Sequence, residues 1–375
     1  MQKQTIQSGQ RYEGLDHLRG LLALTVMVYH YQGWLGWTDN LIFALQRPLT
    51  LLGLYSVSTF YCLSGAALFI VYHSRTVDLN FLREFAIKRS LRICPLFWAT
   101  TTVSLALVGF AATQNDSYRV FLSYSLLFSW LDPTAYFTTG AWSIGNEWAF
   151  YTLFPFLLAA YKYRLSKYLL IIVALSVSSY YAFMVIDPTI AVDDQWSAYI
   201  DPLNQVLLFV GGIIIGSLII KRSSSSASLP ILLAASSLFV VISCLFDTPH
   251  CIHGFLRLTL AGVCLAWCYG AGTVQRRTGW MGHSLDWVGS LSYSVYLLHP
   301  VVFKVAGWFL RRLASFIPDF IWKSQVTAIS IFFSAVIGTM IVAHFSYRIL
   351  ERPAMRFGQS LTKRMQNNAV GRQRL

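Results

Sequence analysis

Charged residues are scarce in this chain: they make up 12% of its 375 residues, against about 25% in an ordinary globular domain. The six cysteines show no spacing typical of a metal or redox site. The first apolar segment lacks the small-residue cleavage site of a signal peptide. No polar stretch is long enough to bury a core of its own, which excludes a second soluble domain. The net charge of +13 has no soluble basic face to carry it, which excludes nucleic-acid binding.

The chain is instead rich in apolar runs, and 55% of its residues are hydrophobic. About ten of these runs come close to the ~20 residues that a helix needs to cross a bilayer. We therefore predict an all-α polytopic membrane protein, a bundle of about ten transmembrane helices. The predicted spans are residues 15–35, 48–72, 93–113, 141–161, 168–186, 203–220, 229–246, 255–273, 289–309 and 323–348.

The distribution of charge predicts how this bundle is oriented. Most of the 29 Lys and Arg fall in alternate connections and at both chain ends, whereas the opposite connections hold Asp187, Asp193, Asp194 and Asp201. The positive-inside rule then predicts that both termini lie on the cytoplasmic side of the membrane. We expect residues 1–357 to form the membrane domain. Residues 358–375 are basic and polar, and we expect a disordered cytoplasmic tail there.

Three ionisable side chains are predicted at similar depth within the spans: His30, Glu147 and His299. Such groups are costly in a bilayer and are functional candidates by default. A carboxylate and two imidazoles are typical of proton transfer. Two structural interpretations stay open: a histidine hydrogen-bonded to a carbonyl, such as the one that Pro300 frees near His299, and an ion pair between Glu147 and an arginine.

A second cluster lies at the predicted cytoplasmic end of the third span. Arg89 and Arg92 are one helical turn apart on the same face, and Lys88 lies beside them. Guanidinium groups bind phosphate oxygens in a bidentate manner. The spacing fits both a phosphorylated substrate and the headgroups of anionic lipids.

Six short motifs occur in order along the chain. LDHLRG at residues 15–20 is followed by His30, and the tripeptide Glu351, Arg352 and Pro353 comes last. Between them lie FYCLSG (60–65), RSLRICP (89–95), WSIGNEWAFY (142–151) and SYSVYLLHP (292–300). In this order the motifs resemble those of the acyltransferase 3 family of integral-membrane acyltransferases, over almost the whole chain.

The resemblance implies a cytoplasmic acyl-coenzyme A donor and, as acceptor, a sugar hydroxyl of a cell-envelope glycan. It implies that His30 is the central catalytic residue, that Arg19 supports it or contacts the donor, and that Arg89 and Arg92 help to bind the coenzyme's phosphates. We expect Lys88 to assist these arginines, and Glu147 or Asp16 to orient or neutralise the imidazolium of His30. The remaining residues expected to line the substrate site are Ser64, Trp142, Ser143, Tyr293 and His299.

The sequence thus predicts a bacterial inner-membrane O-acyltransferase that transfers an acetyl group from acetyl-coenzyme A to an exported polysaccharide. His30 would act as general base or as acyl carrier. No tightly bound cofactor or metal is expected. Expected partners are the acyl donor, the polysaccharide or a lipid-linked oligosaccharide, membrane lipid and a separate extracytoplasmic transferase.

Three alternatives stay open from the sequence. The first keeps the family but changes the acyl group to succinyl or a longer chain. The second is a proton-coupled transporter that uses His30, Glu147 and His299 as a relay. The third is a haem protein ligated by His30 and His299.

Overall fold

A computed structural model describes residues 12–36, 43–108, 116–222, 226–274, 279–314 and 325–372. Every regular element among these residues is helical, as the sequence predicted. The predicted span ends at residues 113 and 323 lie outside the described residues.

Eleven long helices and four short ones make up the described part of the chain. The long helices are α1 (Glu13–Trp34), α2 (Phe43–Tyr72), α3 (Leu79–Val108), α6 (Ala141–Tyr161), α7 (Arg164–Tyr180), α9 (Pro202–Lys221), α10 (Ser228–Leu245), α12 (Gly254–Thr273), α13 (Trp280–Ala314), α14 (Gln325–Ser346) and α15 (Arg352–Arg372). The short ones are α4 (Ser117–Ser125), α5 (Phe128–Leu131), α8 (Trp196–Ile200) and α11 (Thr248–Cys251). Single π-helical turns follow α7 at Tyr181–Val185 and α14 at Tyr347–Glu351.

Seven of the described helices are long and apolar enough to cross a membrane, namely α2, α3, α7, α9, α10, α12 and the segment that begins in α14. The chain is therefore a multi-pass membrane protein. The other three spans predicted from the sequence correspond to α1, α6 and α13. These helices are less uniformly apolar, and they carry His30, Glu147 and His299.

Glycines bring the site-bearing helices together. A Cβ on Gly20 of α1 would lie 2.7 Å from the backbone nitrogen of Gly289 on α13, so the two backbones are in contact. The α2–α9 pair is as close, because a Cβ on Gly65 would lie 2.2 Å from the carbonyl oxygen of Phe209. Helices in lipid associate through such van der Waals contact at small residues. The α1–α13 contact is the one that fixes His30 relative to His299.

The C-terminal segment differs from its prediction. Residues 358–372, expected to be disordered, continue α15 to Arg372, and only residues 373–375 lie outside the described part. One face of α15 packs on α3: Gly358 lies against Leu91, and Gln366 Nε2 donates to Glu84 Oε2 at 2.8 Å. The low hydrophobicity that suggested disorder reflects the other face of an amphipathic helix.

Candidate active site

Three of the cavities among the described helices contain predicted site residues. The arginine cavity, about 1080 Å³ including its opening, is lined by Val71, Tyr72, Arg75, Glu84, Lys88, Arg89, Arg92, Met355, Gln359, Thr362, Lys363 and Gln366. The central cavity, about 540 Å³ including its opening, is lined by Arg19, Phe60, Tyr61, Ser64, Arg92, Ile93, Ser143, Ile144, Glu147, Ser292, Tyr293 and Tyr296. The histidine cavity, about 1500 Å³ with its opening, is lined by His30 together with Tyr29, Thr50, Arg119, Tyr136, Phe137, Gly140, Trp142, Asp193, Trp196 and Tyr296, among others.

These cavities are neighbours, because adjacent ones share a lining residue. Arg92 lines both the arginine cavity and the central cavity. Tyr296 lines both the central cavity and the histidine cavity. The three cavities therefore follow one another in the order arginine, central and histidine cavity.

The two histidines form a hydrogen-bonded pair between α1 and α13. His299 Nε2 lies 3.1 Å from His30 Nδ1, and His299 is completely buried. Each Nδ1 also faces a carbonyl of its own helix: His30 Nδ1 lies 3.0 Å from Val26 O, and His299 Nδ1 lies 3.1 Å from Val295 O. The sequence analysis left open whether His299 is a structural histidine that binds a carbonyl or a catalytic one. In the structure His299 contacts both a carbonyl oxygen, Val295 O, and the imidazole of His30.

These contacts determine the tautomers. A carbonyl oxygen only accepts hydrogen bonds, so both Nδ1 atoms carry the proton. His299 Nε2 is then left as an acceptor for His30 Nδ1–H. His30 Nε2 is left with a free lone pair on the side of the ring away from His299. The histidine that lines the cavity is thus arranged as a base.

Aromatic side chains hold this pair in place. Trp34 stacks on His30, with ring centroids 5.1 Å apart. Tyr31, which is fully buried, donates its hydroxyl proton to His299 O at 3.0 Å and has its oxygen 2.6 Å from Thr339 Oγ1. Tyr31 thereby ties α1 to α13 and α14 beside the imidazoles.

In the predicted cationic cluster, the two arginines differ from Lys88 in their contacts. Arg89 lies in a cage of aromatic rings, with its guanidinium carbon 5.8, 5.8 and 5.5 Å from the ring centroids of Tyr72, Phe85 and Tyr151. Cation–π attraction holds the guanidinium there, while its buried Nε has no hydrogen-bond partner. Arg92 Nη1 has a weak contact with Met355 Sδ at 3.7 Å. Both arginines are preorganised and have donor capacity for an anion.

Lys88 is engaged differently from its neighbours. Its Nζ lies 2.7 Å from Glu84 Oε1, and Arg75 lies 2.8 Å from the other carboxylate oxygen. Lys88 lines the arginine cavity, and it shares the single carboxylate of Glu84 with Arg75. Sequence reasoning did not single out this buried carboxylate.

The central cavity contains most of the other predicted site residues. Glu147 Oε1 accepts hydrogen bonds from Ser64 Oγ at 2.7 Å and from the Tyr151 hydroxyl. Since the Tyr151 ring also contacts Arg89, it connects this carboxylate to the arginine cavity. Tyr293 donates its hydroxyl to Ile93 O at 2.8 Å, which joins α13 to α3.

The constriction between the central and histidine cavities is formed by polar contacts at the start of α6. Ser143 Oγ lies 2.7 Å from the Tyr296 hydroxyl, and both hydroxyls contact Gly140 O. Trp142 follows on the side of the histidine cavity. Ser143 and Trp142 thus lie between the two cavities, together with Tyr296, which the sequence analysis did not single out.

The two carboxylates expected to support His30 lie elsewhere. Glu147 lines the central cavity and is held by Ser64 and Tyr151, and His30 lines the histidine cavity. Asp16 is fourteen residues before His30 on the same helix, about 21 Å along its axis, and its carboxylate lies 3.9 Å from Arg19. The direct partner of the His30 ring is His299. Arg19 itself lines the central cavity.

The wall of the histidine cavity was largely missed by sequence reasoning. It combines the aromatic rings of Tyr29, Tyr136, Phe137, Trp142 and Trp196 with two charged groups, Arg119 and Asp193. The guanidinium of Arg119 lies 4.6 Å from the Phe137 ring centroid and donates to Tyr136 O at 2.6 Å. Apart from Tyr29 of α1 and Trp142 of α6, these residues come from the segments between α3 and α6 and between α7 and α9, whose spatial proximity no sequence motif indicates.

A buried carboxylate near Arg92 was also missed. Glu351, in the π-helical turn after α14, accepts a hydrogen bond from Ser294 Oγ. It is 5% exposed and close enough to Arg92 for electrostatic interaction. The sequence signal that could have identified Glu351 is its place in the final motif, which it forms with Arg352 and Pro353.

Comparison with known proteins identifies the family to which the chain belongs. Acyltransferase MdmB of Streptomyces mycarofaciens is 26% identical over 321 residues, which are 78% of this chain and 79% of that protein. No solved structure matches the chain. The model of the acyltransferase 3 family, described as an acyltransferase domain, matches residues 12–344, which include α1 to α13 and nearly all of α14. The chain is an acyltransferase and belongs to this family.

Proposed function

We propose that the protein transfers an acetyl group from acetyl-coenzyme A to a sugar hydroxyl of an exported polysaccharide, across a bacterial inner membrane. The observation that carries the proposal is the row of three neighbouring cavities, which has Arg89 and Arg92 at one end and the free Nε2 of His30 at the other. The donor and the acceptor would approach the same imidazole from opposite ends.

The proposed orientation has ten membrane spans, the seven apolar helices together with α1, α6 and α13. Both termini and the arginine cavity would then face the cytoplasm, where the donor is made. The basic residues of the α2–α3 connection and of α15 support this side. Asp193, on the wall of the histidine cavity, is among the acidic residues of the opposite face.

The donor would bind along the row of cavities. Arg89 and Arg92 would bind its diphosphate through charge-assisted hydrogen bonds, and the pantetheine arm would extend past Glu147 and Tyr293 in the central cavity. The thioester would then reach the constriction at Tyr296. A narrow passage there favours a small acyl group, which supports acetyl over longer chains.

The chemistry needs a base for the acceptor hydroxyl. His30 Nε2 takes the proton as the hydroxyl oxygen attacks the thioester carbonyl carbon. The tetrahedral adduct then collapses: the carbon–sulfur bond breaks, the ester remains on the acceptor, and the imidazolium returns its proton to the departing thiolate. His299 accepts the Nδ1–H of His30 throughout and keeps Nε2 directed at the reacting atoms.

The acceptor would bind in the histidine cavity. Flat aromatic rings such as Trp142 and Trp196 offer apolar faces to the C–H groups of a sugar ring, while Arg119 and Asp193 offer hydrogen bonds to its hydroxyls. Since His30 lines the same cavity, direct transfer to a polysaccharide or lipid-linked sugar is favoured over delivery to a separate extracytoplasmic transferase.

Mass spectrometry of envelope glycans tests this function. Glycans from cells that carry the protein should contain acetyl esters that are absent from cells without it and from cells with His30→Ala. His344→Ala is a suitable control, because His344 contacts Trp287 on the exposed side of α13 and lies outside the three cavities. Equal acylation in all strains would contradict the proposal.

A further inference from the structure

The C-terminal helix α15 supplies one wall of the arginine cavity. Met355, Gln359, Thr362, Lys363 and Gln366 line it from this side, opposite Arg89 and Arg92 of α3. Their spacing of three to four residues places them on a single helix face. The family match ends at residue 344, so this wall lies outside the part of the chain that the family comparison covers.

The cations of the arginine cavity are not equivalent. Glu84, which is 6% exposed, binds Arg75 and Lys88, and Gln366 donates to the same carboxylate. Arg89 and Arg92 lie deeper, since Arg92 also lines the central cavity. Among the described residues Lys363 forms no ion pair, and it is exposed at the mouth. The cavity therefore has one cationic position deep inside and a second one on α15 at its opening.

This two-point arrangement matches the two separate phosphate groups of coenzyme A. The diphosphate adjoins the pantetheine arm, so a thioester in the central cavity brings it to Arg89 and Arg92. The 3′-phosphate belongs to the adenosine at the other end of the molecule. It is carried by the same ribose as the diphosphate, one sugar ring further from the thioester and so nearer the mouth, where Lys363 forms no ion pair with the described residues.

We infer that α15 completes the donor site and that Lys363 binds the 3′-phosphate of the acyl donor's adenosine. The inference rests on the proposed function and makes it more specific. It selects coenzyme A thioesters over donors that carry phosphopantetheine alone, and it gives the C-terminal helix a role in substrate recognition.

Binding of coenzyme A and of 3′-dephospho-coenzyme A to the purified full-length protein tests the inference. The unaltered protein should bind coenzyme A about 5-fold more tightly than the dephospho form, the magnitude of one exposed ion pair. Lys363→Ala should remove this difference and leave the affinity for the dephospho form unchanged. Arg364→Ala is the matched control, because Arg364 is the next residue on α15, is exposed and does not line the cavity; it should keep the difference.

The outcomes separate the two proposals. If Lys363→Ala keeps the preference for coenzyme A, or if Arg364→Ala loses it equally, Lys363 does not bind the 3′-phosphate. If the unaltered protein binds neither compound, the donor of the proposed function is wrong as well. Lys363→Gln, which keeps most of the side chain's packing, should behave as Lys363→Ala does; retention of the preference in that variant would also overturn the inference.

Discussion

The two imidazoles on α1 and α13 resemble a catalytic base and its orienting partner in other hydrolytic and transfer enzymes, but with a histidine where a carboxylate is usual. His299 is itself anchored to Val295 O, so its Nε2 can only accept from His30. No charged group is needed to set the tautomer. This suits a position inside a bilayer, where an additional buried charge is costly.

Replacement of His299 tests this orienting role. In His299→Phe, His30 Nδ1–H keeps Val26 O as its acceptor but loses the contact with α13 that helps to orient the ring. We expect kcat to fall about tenfold or more, the equivalent of one lost hydrogen bond, with KM for acetyl-coenzyme A unchanged. His344→Phe should leave both constants unaltered. A normal kcat in His299→Phe, or a rise in KM alone, would show that His299 has no orienting role.

The paired arginines are expected to act on donor binding. Arg89→Ala together with Arg92→Ala removes the donors to the diphosphate, and we expect the affinity for acetyl-coenzyme A to fall about 100-fold, since hydrogen bonds to charged groups are each worth about 1.5–3 kcal/mol. Titration of the detergent-solubilised variant with acetyl-coenzyme A measures this. Unchanged affinity would assign the two arginines to lipid headgroups instead.

At the scale of elements, the close contact of α1 and α13 should be sensitive to a single methyl group. Gly20→Ala would place its Cβ 2.7 Å from Gly289 N, so the helices must separate at a cost of about 1–3 kcal/mol. We expect a lower thermal midpoint and reduced activity, because the same separation moves His30 away from His299. Gly262→Ala on α12 is the control, since its Cβ would meet no described atom within 4 Å. Equal stability of the two variants would contradict a tight α1–α13 contact.

The helices themselves were largely predictable, and their exceptions have physical causes. Long apolar runs form helices in a bilayer, because a helix satisfies its own backbone hydrogen bonds. Helices such as α2 and α9 are therefore predictable from composition. The C-terminal helix α15 was missed because its apolar positions are few, and its packing on α3 depends on the glycine at 358 and on Gln366 meeting Glu84. Such contacts between distant segments are not encoded in local composition.

The residues of the candidate site were likewise predictable only in part. His30, Glu147 and His299 were singled out because an ionisable group in an apolar segment is unusual, and Arg89 because it lies one helical turn from Arg92. Arg119 and Asp193 were missed because charged residues in connecting segments are ordinary. The partner of His30 was predicted as a carboxylate; in the structure it is His299, because helix packing rather than charge determines which polar groups meet.

At the scale of the whole molecule, the proposed orientation of the row of cavities in the membrane requires both chain ends to be cytoplasmic. A green fluorescent protein fused after Leu375 should therefore be fluorescent, and an alkaline phosphatase fused at the same place should be inactive. A phosphatase fused within residues 187–195 should be active, because those acidic residues are predicted on the opposite side. The reverse pattern would place the arginine cavity on the face that lacks acyl-coenzyme A.

The central claim is that acyl transfer occurs at His30 while the donor binds elsewhere. The most direct measurement uses inside-out membrane vesicles supplied with radiolabelled acetyl-coenzyme A, with label counted in the glycan and donor binding measured in parallel. For His30→Ala we expect transfer to fall at least about 100-fold, with the affinity for acetyl-coenzyme A unchanged. Transfer at the unaltered rate in His30→Ala would contradict the claim, and so would a loss of donor binding that accounts for the whole defect.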